Sequence, residues 1–234
     1  LREHSVRQGA PLSADDRLVV NHVLWEAPPA SDGPSELTLA WQRTDGTTTP
    51  LELPFPVIAA TVWQDRAVVV DPERTLWMVP RSSLTEVEGP LGRDVVGNPV
   101  VSDDGSILSY VERNDLWSRI VIRRAIPGSA DPVILTEGLQ SAGALRFTSD
   151  AAHIVFVGST PGGVAGLRIV ATNPGGGDSR CLTNCELRTG RYWPEGTFLP
   201  PPRSSSELTF ETDLLSYPTD TGTIRVPLNT GGPS

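Results

Sequence analysis

Few residues in this chain could do chemistry, and each can be judged by the partners that chemistry requires. There are three histidines, His4, His22 and His153. A histidine works as a general base or a metal ligand only with a second group in reach. No H-E-x-x-H or H-x-x-x-D spacing surrounds any of the three, and the latter two fall in apolar, strand-like runs, so they read as structural. QSAGA at 140–144 supplies Ser141 and Gly143 of a nucleophile elbow, but Leu139 stands where G-x-S-x-G requires glycine. The glycine-rich stretches TPGGVAG (160–166) and NPGGGDS (173–179) have neither the lysine of a phosphate-binding loop nor the spacing of a dinucleotide fingerprint. Asp103, Asp104 and Gly105 begin like a calcium loop but lack its ligand spacing and distal glutamate. No catalytic residue, cofactor site or metal site is expected, and the chain reads as a non-enzyme.

Two cysteines, Cys181 and Cys185, stand in RCLTNCEL. In an extended strand their Cα atoms would lie roughly 13 Å apart, too far for a bridge. Pairing therefore requires Leu182, Thr183 and Asn184 to form a tight turn. A closed loop of this size would contribute about 2 kcal/mol and indicate an oxidising compartment; otherwise the two are half-buried thiols. The disulfide is the favoured reading. Two cysteines alone are too few ligands for zinc.

The elements that position these residues must be short. The 234 residues include 22 Gly and 22 Pro spread along the whole length, a density that suits many strands joined by turns and excludes long helices. One motif recurs: LSADDRLVV at 12–20, VSDDGSILSY at 101–110 and FTSDAAHIVF at 147–156. Aligned on Ser13, Ser102 and Thr148, the copies share an aspartate two positions on, at Asp15, Asp104 and Asp150, before an apolar run. An aspartate there bonds its own backbone and reverses the chain, which predicts a hairpin. A third strand follows each copy (SELTLAW, SRIVIR, AGLRIVA), then a turn (TDG, PGS, NPGGG) and a fourth strand (TPLELP, DPVILTEG, SRCLTN). Weaker units begin at VIAATVWQDRAVVV (57–70) and ELTFETDLLSY (207–217). The turn aspartates at 15, 65, 104, 150 and 213 are spaced by 50, 39, 46 and 63 residues. The last interval holds an insertion, 188–204, rich in Pro and Gly.

Four short strands per unit at this period predict an all-β propeller of about five four-stranded blades, with a sixth if the termini build one. The approximate blades are 10–54, 57–91, 98–139, 141–187 and 205–228, in a single domain over 1–234. The Ser-x-Asp turn, the apolar strand, the third strand, the glycine turn and the closing CLTN resemble the TolB-type, WD-like β-propeller repeat. That repeat typically reads Ser-Pro-Asp-Gly; no copy here has the proline, and Gly105 alone keeps the glycine. In this reading Asp15, Asp104, Gly105 and Asp150 are structural turn residues.

The net charge of −9 and pI near 4.8 oppose nucleic-acid binding, which needs clustered cations to displace counterions. No run of 18 apolar residues is present, so no membrane-spanning helix is expected. The start at Leu1 fits a processed export product or a fragment. Together these readings point to an exported β-propeller, periplasmic or extracellular, acting through protein partners as a scaffold or a subunit of a bacterial cell-envelope assembly. The alternative is a carbohydrate- or peptidoglycan-recognition module of a larger exported hydrolase. Candidate partner-binding residues are Arg188, Arg191, Tyr192, Trp193 and Phe198 of the insertion, an aromatic and arginine composition typical of interfaces. Trp25, Trp41, Trp77 and Trp117, within or beside predicted strands, read as core wedges between blades, and Trp63 sits next to a turn.

Overall fold

Strands rich in β-branched residues and bounded by Asp, Gly and Pro give this chain its regular structure. The computed structural model describes residues 17–22, 37–124, 131–173, 177–183, 208–211, 214–219 and 222–228. The first sheet holds β1 (Arg17–His22), β2 (Leu37–Gln42) and β3 (Thr48–Pro50). The second holds β4 (Ala59–Trp63), β5 (Arg66–Val70), β6 (Leu76–Pro80) and β7 (Glu88–Gly92). The third is β8 (Val95–Val101), β9 (Ile107–Arg113), β10 (Ser118–Arg124) and β11 (Val133–Leu139), and the fourth β12 (Ser141–Phe147), β13 (His153–Ser159), β14 (Gly166–Ala171) and β15 (Arg180–Cys181). The fifth is β16 (Thr209–Glu211), β17 (Leu214–Thr219) and β18 (Gly222–Pro227). Each is an antiparallel meander in chain order. Among the described residues there is no helix, and none long and apolar enough to cross a membrane.

The second strand of a unit is apolar at nearly every position because both of its faces are covered. In β5, Val68 and Val70 point into a core shared with Val95, Leu108 and Tyr110 of the third sheet. Ala67 and Val69, one residue out of phase, point into a core shared with Leu39 and Trp41 of the first. The same alternation divides β13: Ile154 and Phe156 pack against Ile107, Val111, Ile120 and Ile122 of the third sheet, while Val155 joins Leu215 and Tyr217 of the fifth. Four such seams join the five sheets in chain order. The first strands β4, β8 and β12 lie side by side along the inside, and β8 and β12 each carry a register shift, between Val96 and Val100 and between Gly143 and Arg146.

The repeated turn is held by the same hydrogen bonds in both described copies. The Ser102 hydroxyl donates to Asp104 Oδ1 at 2.6 Å, which also accepts the Ser106 N–H at 3.0 Å, while Ser102 Oγ accepts the Ile107 N–H at 2.9 Å. In the other copy Thr148 donates to Asp150 Oδ1 at 2.6 Å, Ala152 N–H donates to the same oxygen at 3.0 Å, and His153 N–H donates to Thr148 Oγ1 at 3.1 Å. Gly105 takes φ +70 in its turn, and Ala151 takes φ 55 in the other. Asp15 lies outside the described residues.

Donation from the Ser102 hydroxyl, then from the Ser106 N–H and hydroxyl, lowers the Asp104 pKa from 3.8 to about 2. The folded value is the depressed one, so the turn's contribution is complete above pH 3.8 and disappears as pH falls through about 2. A carboxyl-carbon NMR titration should place the Asp104 midpoint near 2; a midpoint at the ordinary value would mean that the Ser102 bond does not form in solution. The left-handed conformation of Ala151 gives a second expectation: Ala151→Gly should raise stability by up to about 1 kcal/mol in urea denaturation, because glycine adopts it without a Cβ clash.

Candidate functional site

Antiparallel pairing sends the turns of each sheet alternately to two ends. The Ser102 and Thr148 turns lie at one end. The β9–β10 turn at 114–117 and the 93–94 link between the second and third sheets lie at the other. At this second end, Asn114 Oδ1 accepts the N–H of Leu116 at 3.0 Å and of Trp117 at 2.7 Å, and Asn114 N–H donates to the Trp117 carbonyl at 3.0 Å. This tight turn holds Leu116 71% exposed and Trp117 41% exposed. The expectation that Trp117 fills a core is corrected here: the turn reverses the chain before its side chain can reach a seam. Trp41 and Trp63 are the buried wedges, and Trp77 is half-buried, stacked on Phe55 and donating to Asp71 Oδ2 at 2.8 Å.

Beside the turn a cleft of about 600 Å³ opens between β7 and the faces of β9, β10 and β11. One wall is fixed by the Leu91 carbonyl, which accepts the Tyr110 hydroxyl at 2.9 Å and an N–H of Arg123. Arg123 Nε also donates to the Tyr110 oxygen at 3.2 Å. Burial pushes the Tyr110 pKa up, so the phenol stays a neutral donor. Gly92 is the point of closest approach: a Cβ there would stand 2.7 Å from the Tyr110 ring and 2.9 Å from Glu112 Oε1. Arg119 closes on Glu112, with Nε 2.7 Å from Oε2. Arg93 and Arg113 also line the cleft and form no ion pair among the described residues. Ser118, 1% exposed, borders it too, and its buried hydroxyl has no hydrogen-bond partner among the described residues.

At the opposite end, Asp103, Arg146 and Phe147 border two shallower depressions beside the inner strands. The Arg146 guanidinium there lies 5.7 Å from the Phe210 ring centre. His153 sits in β13, and Ser141 Oγ bonds Ser159 Oγ at 2.8 Å across the β12–β13 pair. Cys181 ends β15, half-buried. Cys185, Arg188, Arg191, Tyr192, Trp193 and Phe198 lie outside the described residues. The cleft was not anticipated from the sequence. Its one signal is NDLW at 114–117, two large apolar residues inside a turn signal where polar ones are the rule.

No family model matches the sequence, and no curated protein matches it. Solved structures do. A Mycobacterium tuberculosis puromycin-hydrolyzing peptidase aligns with a TM-score of 0.54 at 16% identity over 86% of this chain and 34% of that one. A nidogen/laminin complex structure aligns with a TM-score of 0.50 at 15% identity, over 83% of this chain and 69% of that one. TolB from Acinetobacter baumannii aligns with a TM-score of 0.45 at 17% identity, over 83% and 60%. The chain thus spans about a third of the length of the peptidase. The structures it resembles include propeller proteins. The chain is an all-β protein with a β-propeller fold.

Gly92→Ala should force the Tyr110 ring off the Leu91 carbonyl and cost about 1–3 kcal/mol in a denaturation experiment, the usual range for overpacking a tight site. An unchanged midpoint would show that the β7 wall yields without loss.

Proposed function

We propose that this protein is a non-enzymatic, exported β-propeller that serves as a protein–protein interaction scaffold or a subunit of a bacterial cell-envelope assembly, and that it meets its partner at the end carrying the 114–117 turn. The observation that carries this reading is the exposure of Leu116 and Trp117 in a hydrogen-bonded turn beside arginines. Tryptophan and arginine are the side chains that most often dominate binding energy between proteins, and a rigid turn presents them with little ordering cost. The likeness of fold to a nidogen/laminin complex is in keeping with such a role. Nucleic acid is not the partner, given the net charge of −9. The insertion at 188–204, with Arg188, Arg191, Tyr192, Trp193 and Phe198, is proposed as a further contact. A Cys181–Cys185 bridge in an oxidising, periplasmic or extracellular compartment belongs to the same reading, supported by the lack of a free cysteine among the described residues. No catalytic residue, cofactor or metal is assigned.

A second reading, a carbohydrate- or peptidoglycan-recognition module of a larger exported hydrolase, is favoured by one observation: the chain aligns with about a third of a peptidase, 34% of its length. Two measurements separate them. Identification of what co-purifies from the native source, with the size of the native polypeptide, should give a companion protein in the first case and a longer hydrolytic chain that sediments with peptidoglycan in the second. With the companion in hand, Trp117→Ala combined with Leu116→Ser should weaken its binding at least tenfold, on the order of 1.4 kcal/mol, at an unchanged melting temperature. Undiminished binding would remove this end of the propeller from the interaction.

A further inference from the structure

We infer that the cleft between β7 and the β9–β10 hairpin is a docking groove for a short extended segment of a partner protein, one that places a carboxylate beside an aromatic or aliphatic side chain. This rests on the scaffold reading and names the chemistry of what that scaffold grips. The charges decide the class of ligand. Arg119 is already matched to Glu112, and Arg123 donates to the Leu91 carbonyl and the Tyr110 hydroxyl. Arg93 and Arg113 are the lining guanidiniums without an ion pair among the described residues, and a guanidinium fork matches a carboxylate in shape as well as charge. Asp94 and Glu137 line the same cleft. They cancel the surplus that a polyphosphate or nucleic acid would need, and their oxygens suit the N–H groups of a peptide backbone.

One further observation points to an occupant. Trp117, 41% exposed, forms part of the same lining and offers an apolar surface next to the cations. The volume, about 600 Å³, falls among sites that enclose a small ligand. It admits a few residues rather than a folded domain.

The test is selection of a random heptapeptide phage library on the intact protein, followed by binding of the enriched sequences as synthetic fluorescein-labelled peptides. Enriched peptides should share an Asp or Glu adjacent to an aromatic or aliphatic residue. Their affinity should fall at least tenfold on changing that acid to its amide, and likewise in Arg93→Gln or Arg113→Gln protein. Both arginines are exposed, so melting temperatures should be unchanged. Enriched peptides without an acid, or peptides that bind the arginine variants as well as the wild type, overturn the proposal, as does binding of peptidoglycan fragments at this cleft. If no peptide is enriched while the co-purified companion still depends on Leu116 and Trp117, the groove proposal fails and the scaffold reading stands. If that companion binding is absent as well, both fall.

Discussion

The second, third and fourth sheets of this molecule each bury two faces, and the rest of the structure follows from how the chain meets that requirement. A propeller blade is wedged between neighbours, so its middle strands must supply apolar side chains in both directions. Period-two alternation does this with a single run of valines or isoleucines. Val68 and Val70 serve one seam while Ala67 and Val69 serve the other, and Ile154 and Val155 divide in the same way. The seams contain the buried aromatics Trp41, Tyr110, Phe156 and Tyr217. Each fully buried side chain of this kind contributes on the order of 1.5–3 kcal/mol. No sheet could hold its shape without the next, because half of its core belongs to that neighbour.

The same arrangement releases the turns and outer strands from core duty. The Ser102–Asp104 and Thr148–Asp150 turns use that freedom for register: hydroxyl and carboxylate satisfy the backbone N–H groups that a tight reversal would leave unpaired. The 114–117 turn uses it differently. Asn114 ties the backbone down, and two apolar side chains are left facing solvent where polar residues would have served the fold equally well. Close packing and recognition meet at β7. Gly92 lets the strand lie against Tyr110, Tyr110 and Arg123 hold the Leu91 carbonyl, and the cleft's wall is thereby set at a fixed distance from Trp117.

Much of the fold was legible in the residues. The Ser-x-Asp spacing located the hairpins because an Asx turn is a local interaction, complete within six residues. The strand runs announced themselves by β-branching, and the four-strand period by the recurrence of turn signals. The site was far less legible. Arg93 and Arg113 are separated by the β8–β9 hairpin, Ser118 by a further turn, and nothing in the spacing of these positions says that they line one cavity. Trp117 misled because a tryptophan beside a strand is usually core; here the Asn114 turn is too tight to swing the ring inward. The 188–204 insertion, which drew attention by its aromatics, lies outside the described residues.

By itself, then, the sequence determined the strands, their turns and the acidity of −9 that disfavours nucleic acid as a partner. These depend on contacts between residues close in the chain or on composition alone. Which face of each strand meets which neighbour, which arginines are neutralised and which have no ion pair among the described residues, and that a serine hydroxyl is buried beside them were decided only by tertiary structure. The physical reason is that charge pairing, desolvation and cavity shape are properties of distances between remote segments, and those distances are set when one sheet packs against the next.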